Sequence, residues 1–295
     1  MRYSVNLRTQ NYREGICECL RELRDKEKLP FQIEEYRHGN SWIIQCHYKS
    51  SSTEDEEEIN KESIAKKIYK YYLAGVLAEA VLRHWEKDYF KQILRKKKNI
   101  KNENWQWIIE KALYYLNSGF KQEKGYHVNR KTILISQILN NLERNPVFDI
   151  EGFLRFRAYD YKNELGKAIE FAINEYTIEK EYVEFIRLLK HFVDTQKPSL
   201  DRLHVGITAQ GEFLLYDNEG INVTDKFLEN YQIENAQELG YEDLLISALI
   251  AAAPRQITLH IRYAGYISTL KTIQNVFGER VQSCQGCTLC KNFDK

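Results

Sequence analysis

The spacing of hydrophobic positions changes twice along the chain. Near the start, Tyr3, Val5 and Leu7 alternate with polar residues, the two-residue period of a strand. Ile16, Leu20 and Leu23 follow at helical spacing. Two further alternating runs, Phe31 to Tyr36 and Trp42 to Tyr48, flank His38-Gly39-Asn40 and predict a hairpin. Residues 1–50 therefore read as a small α+β unit.

A helical period then takes over. Ile64, Ile68, Tyr72 and Gly75, then Val76, Leu77 and Ala80, trace an apolar face running towards Trp85, Tyr89 and Ile93. Trp105, Ile108, Ile109, Leu113 and Leu116 mark another helix, and residues 133–142 a third that ends before Pro146. Tyr182, Phe185, Ile186, Leu189 and Val193 mark a fourth, stopping before Pro198. In the last third the alternation returns. Leu203, Val205 and Ile207 precede a turn at Gln210-Gly211, and Phe213 to Tyr216 comes back as hairpin partner. A helix over 241–252 leads through Pro254 into a strand over 257–261. A short helix capped by Ser268 then ends at Gly278. The fold class expected is α+β. Residues 1–50 form the first unit, 51–62 an acidic linker, 63–197 a helical domain, 198–283 an α/β unit and 284–295 a cysteine-rich tail.

Composition bounds the function classes without choosing among them. Forty-three Lys and Arg against 42 Asp and Glu leave a formal charge of +1, which argues against a surface built throughout to coat nucleic acid. The N-terminus has no apolar stretch of the kind a signal peptide carries. The longest apolar run, Leu244 to Ala253, is about half the roughly 20 residues a membrane helix requires. No membrane span and a cytoplasmic location are expected. Six cysteines in such a chain do not read as a disulfide framework. Cys17, Cys19 and Cys46 fall inside element-like stretches, where a small buried hydrophobe is the simple explanation.

Cys284, Cys287 and Cys290 differ, because two residues between successive thiols let a tight turn aim them at one ion, and Gly286 eases that turn. The spacing suits zinc. It equally matches three ligands of an iron-sulfur cluster, whose bacterial run would place a fourth cysteine where Asp294 stands. The fourth ligand must be Cys46, Cys17, Cys19, a histidine or another chain's cysteine. The competing explanations are free thiols on a loose tail and a redox disulfide.

Three weaker constellations remain. Arg95, Lys96, Lys97, Lys98 and Lys101, followed by Trp105 and Trp107, could hold a nucleic-acid strand by charge and stacking. The same run is explained as cations at a helix C-terminus and a solvated loop. Arg155 and Arg157 would share a face with Phe153 if extended and could grip an anion, or could tie a loop to Asp160 or Glu164. His204 and His260 alternate with apolar strand residues, so they point away from the core, and their rings meet if the two strands are adjacent. No phosphate loop, dinucleotide fingerprint, His-Glu-x-x-His or nucleophile elbow is present, so the reading leans against an enzyme.

Two long strings carry a family resemblance. Glu151 to Arg157 with Glu179 to Tyr182 and Phe185 to Leu189, and Tyr241 to Ile250 leading to Ala253-Pro254, resemble the YtxC-like family over roughly residues 61 to 290. The resemblance implies a sporulation setting. It brings no established reaction and no catalytic residues, which points to a role through protein partners.

Overall fold

The computed structural model describes residues 2–28, 31–49, 56–118, 130–145, 147–208, 212–228, 241–260 and 267–293. The Gln210-Gly211 turn, the start of the acidic segment (51–55), Pro146 and Asp294 lie outside them. The architecture is α+β, in two compact units, residues 1–176 and 177–295.

In the first unit, β1 (Arg2–Thr9), β2 (Phe31–His38), β3 (Ser41–Lys49) and β4 (Val147–Asp149) form a sheet ordered β2-β3-β1-β4. The hairpin closes at His38↔Ser41 with Gly39 at φ 60°, a conformation that glycine reaches without steric cost. β4 joins β1 in parallel, so the mixed sheet is completed by a strand some hundred residues downstream of β3. Helix α1 (Arg13–Glu27) buries Ile16, Cys17, Cys19 and Leu20 together with Val5, Leu7, Ile44 and Cys46 of the sheet.

Helices α2 (Glu56–Ala80) and α3 (Glu86–Arg95) are separated by one π-helical turn, Val81–Trp85. The first helix thus begins inside the segment that composition marks as a linker; glutamate is a strong helix former, and its run favours a helix start as readily as a loop. Its buried side is Tyr69, Leu73, Val76, Leu77 and Ala80, while Ile64 and Ile68 are exposed. This stretch is apolar on more than one side, so periodicity alone does not select the face that packs. Glu86, fully buried, accepts a hydrogen bond from the Tyr161 hydroxyl at 2.6 Å and pairs with the Arg130 guanidinium at 2.9 Å. A buried carboxylate is tolerable only with such partners.

Helices α4 (Trp105–Ser118), α5 (Arg130–Arg144), α6 (Ile150–Phe156) and the first half of α7 (Tyr159–Thr195) complete the unit. The string Glu151-Gly152-Phe153 is structural here. Glu151 Oε1 accepts from Thr9 Oγ1 and from the backbone amides of Gln10 and Asn11. Asp149 caps α6 by accepting from the Gly152 amide at 2.7 Å, and Phe153 packs on Phe148.

The second unit holds the rest of α7, with β5 (Arg202–Ile207), β6 (Phe213–Tyr216), α8 (Thr224–Leu228), α9 (Tyr241–Ala252), β7 (Gln256–His260), α10 (Ile267–Phe277) and β8 (Val281–Ser283). Sheet order is β6-β5-β7-β8, antiparallel at β5–β6 and parallel at the other two joins. Leu203, Val205, Ile207, Ile257 and Leu259 project into a core shared with Leu245 and Leu249 of α9, Ile273 and Val276 of α10, and Val193 of α7. Of the helical face read from sequence, Val193 is buried and Ile186 and Leu189 pack against this core, whereas Tyr182 and Phe185 are exposed. Among the described residues no helix is long and apolar enough to cross a membrane.

Candidate metal centre

The period of two along β5 and β7 decides the site. With Leu203, Val205, Ile257 and Leu259 in the core, His204, Gly206, Thr258 and His260 must line the opposite face of the sheet. Parallel pairing sets Gly206 across from His260 and His204 across from Thr258, so the two histidines are diagonal neighbours. Their rings meet, with His204 Nδ1 3.0 Å from His260 Nε2. The conditional expectation from the alternation is met because the strands are adjacent.

The chain after β8 folds back over this same face. The Cys284 amide donates to the Leu259 carbonyl at 2.8 Å, which starts the tail beside the end of β7. Gly286, at φ 123°, makes the turn that a side chain would resist. Its amide points at Cys284 Sγ (3.3 Å), and the Cys287 amide at Cys290 Sγ (3.4 Å). Backbone N–H groups so aimed favour sulfur carrying negative charge. A two-turn 3₁₀ segment, Thr288–Phe293, carries Cys290, which is buried.

Phe293 fastens the end. Its ring is fully buried, lies edge-on to Tyr216 and sits 5.1 Å between centroids from His260. It occupies the space over Gly206, where a Cβ would come within 2.0 Å of the ring. Glycine at this strand position is therefore a packing requirement, and its sequence signal is only a glycine within a strand pattern.

Three sulfurs and one ring nitrogen converge. Cys290 Sγ lies 3.4 Å from His260 Nδ1, 3.8 Å from Cys284 Sγ and 3.9 Å from Cys287 Sγ, and Cys287 Sγ is 3.8 Å from His260 Nδ1. All four ligand atoms fall within 4.8 Å of one another, close enough to hold one metal ion. His260 and Cys290 are buried, Cys284 is half-buried and Cys287 is exposed. Burial, and secondarily His204, pulls the His260 imidazole down to about 4, so it is neutral near pH 7 with a lone pair to offer. At Cys284 the Gly286 amide favours the thiolate, but burial and the neighbouring thiols outweigh it and raise the pKa above the ordinary thiol value. A cation bound beside Cys284 would favour its thiolate and offset that effect of its neighbours.

The histidine alternative for the missing ligand is thus the one the fold supplies. Cys17, Cys19 and Cys46 are buried in the core of the first unit. Burial pushes Cys46 up to about 12, and burial with Glu35 does the same for Cys17.

The weaker constellations fall elsewhere. Arg95 ends α3, Lys96 to Lys98 are exposed in the following turn, and Lys101 faces Glu103 at 3.8 Å. Trp105 and Trp107 are half-buried against the first core, Trp107 beside Tyr176. Arg155 and Arg157 are exposed, but α6 is a helix, so residues two apart diverge and the shared extended face does not form. Phe153 is buried against Phe148 instead.

A family model described as the YtxC-like family matches residues 71–282. The chain belongs to the YtxC-like family. The match is narrower at both ends than the resemblance read from sequence; it includes His260 and stops before Cys284. The "Uncharacterized protein YtxC" of Bacillus subtilis (strain 168) is 29% identical over 157 residues, which is 52% of this chain and 54% of that protein. The chain thus spans about half the length of the curated relative it matches. No solved structure matches.

Proposed function

We propose that this chain is a zinc-binding protein, with the ion held by His260, Cys284, Cys287 and Cys290 in the second unit. The observation that carries the reading is distance. An ion bonded to sulfur at about 2.3 Å in tetrahedral geometry sets its sulfurs about 3.8 Å apart. Two of the three sulfur pairs are 3.8 and 3.9 Å apart, and no two of the four ligand atoms are separated by more than 4.8 Å. A four-iron cluster spreads its thiolates around a body several atoms across, and so farther apart than one ion does. Mononuclear zinc is therefore favoured over an iron-sulfur cluster for this donor set.

Four protein donors fill a tetrahedral ion, which leaves no position for water or substrate, so the role supported is structural. The ion would fasten the tail to β7 and shape the sheet face on which it lies. A fixed surface of this kind is compatible with action through protein contacts, and with the sporulation setting that the resemblance implies. Elemental analysis of protein prepared without oxygen should find about one zinc per chain. Cys284→Ser, Cys287→Ser and Cys290→Ser combined should abolish it. Wild-type protein that is folded and free of both zinc and iron sinks the reading, and iron with acid-labile sulfide in stoichiometric amount replaces it with the cluster.

A further inference from the structure

His204 has no place among the four ligands, yet its ring nitrogen is the nearest polar partner of the ligand His260. Resting on the zinc reading above, we infer that His204 is a positioning residue, fixing the His260 ring and tautomer for metal binding through Nδ1.

The argument is one of proton counting. A neutral imidazole carries one N–H, on either nitrogen. His260 presents Nδ1 to Cys290 Sγ at 3.4 Å and to Cys287 Sγ at 3.8 Å, so Nδ1 is the atom a metal would take. The proton must then sit on Nε2, and a buried N–H needs an acceptor. His204 Nδ1, at 3.0 Å, is that acceptor. To accept, it must itself be bare, which places the His204 proton on its outer nitrogen, Nε2. Without metal the pair can be wired in either direction, because both rings can exchange roles. With metal on His260 Nδ1 only one wiring survives.

The surroundings hold the pair in place. His204 is half-buried on β5, directly across from Tyr216, and cannot drift without breaking the strand register. Phe293 packs on the His260 ring from the tail side. His260 is 2% exposed, so water cannot readily substitute for the lost acceptor. Partners that hold a metal-bound imidazole in this way commonly account for about 10- to 100-fold in metal affinity.

Two replacements separate hydrogen bonding from packing. His204→Phe keeps the ring's volume and removes the acceptor. His204→Asn is smaller but returns an oxygen near the position of Nδ1. Competition against a chelator should show zinc affinity falling about 10- to 100-fold in His204→Phe, with His204→Asn lying closer to wild type. A purely space-filling role gives the reverse order and overturns the inference. Histidine-selective nitrogen-15 spectra of the zinc-loaded wild type give a readout independent of any variant's folding. They should show His260 protonated at Nε2 and His204 protonated at Nε2 with Nδ1 bare. A proton on His204 Nδ1, or equal zinc affinity in wild type and His204→Phe, overturns the inference and leaves the zinc site standing. Wild-type protein that takes up no zinc overturns both.

Discussion

The chain carries two sets of three cysteines, and the two behave as opposites. Cys17, Cys19 and Cys46 sit in the core of the first unit, on a helix and a strand, where burial, joined by Glu35 at Cys17, raises their thiols above the ordinary range. Cys284, Cys287 and Cys290 sit on a tail with little regular structure, where turns aim the sulfurs at one point and backbone amides point at two of them. Burial makes the first set inert fillers, and convergence makes the second set a group that could hold one ion. The difference lies in geometry rather than residue type, because a thiol is both a small hydrophobe and, once ionised, a soft ligand.

The largest effect that sharpens this contrast is expected at Phe293. Phe293→Ala should destabilise the second unit by about 3–5 kcal/mol, the usual range for removing a buried aromatic. It should also weaken the hold of the tail on His260, so that zinc leaves at lower chelator concentration. Thermal unfolding with and without chelator measures both, and an unchanged transition would show that the tail is not seated by its ring.

A second effect, small until the pH is strongly alkaline, is expected from the inert set. The Cys46 thiol is raised to about 12 by burial, so the native state keeps its proton above the pH at which the unfolded chain loses it. That stability is fully present below the ordinary thiol range. It should decline by about 1.4 kcal/mol per pH unit as pH rises from about 9 towards about 12. Cys46→Ala should flatten this alkaline limb in denaturant titrations of the full chain. An equally steep limb in the variant would assign the loss to other groups.

The smallest effect is expected on metal content. Cys17→Ala, Cys19→Ala and Cys46→Ala together should leave zinc at the wild-type stoichiometry. A fall would break the comparison by making a core thiol a ligand after all.

Much of the fold was legible in the chain. The N-terminal hairpin around Gly39, the strands bearing Val205 and Leu259, and the helix over 241–252 all follow from period and turn chemistry. The parallel join of β4 to β1 was not legible, because a three-residue strand is too short to show a period. The faces chosen at Ile64, Ile68, Tyr182 and Phe185 were not legible either, since those helices are apolar on more than one side and only packing selects. At the site, the Cys-x-x-Cys-x-x-Cys spacing and the turn at Gly286 were visible. The outward direction of His204 and His260 was visible too, as an alternation. The link between these features was missing, because it depends on which strands are neighbours.

By itself, the sequence determined a spacing that lets three thiols reach a single ion, and left open whether they would. It also determined that His260 would leave the core, since strand side chains alternate. Only the tertiary structure decided that these belong to one site. Parallel pairing of β5 and β7 places His204 behind His260, and Phe293 seated over Gly206 folds the tail across them. The physical reason is range. Turn geometry and strand alternation act over a few residues, whereas the pairing of strands 56 positions apart and the burial of one ring depend on the whole packed unit.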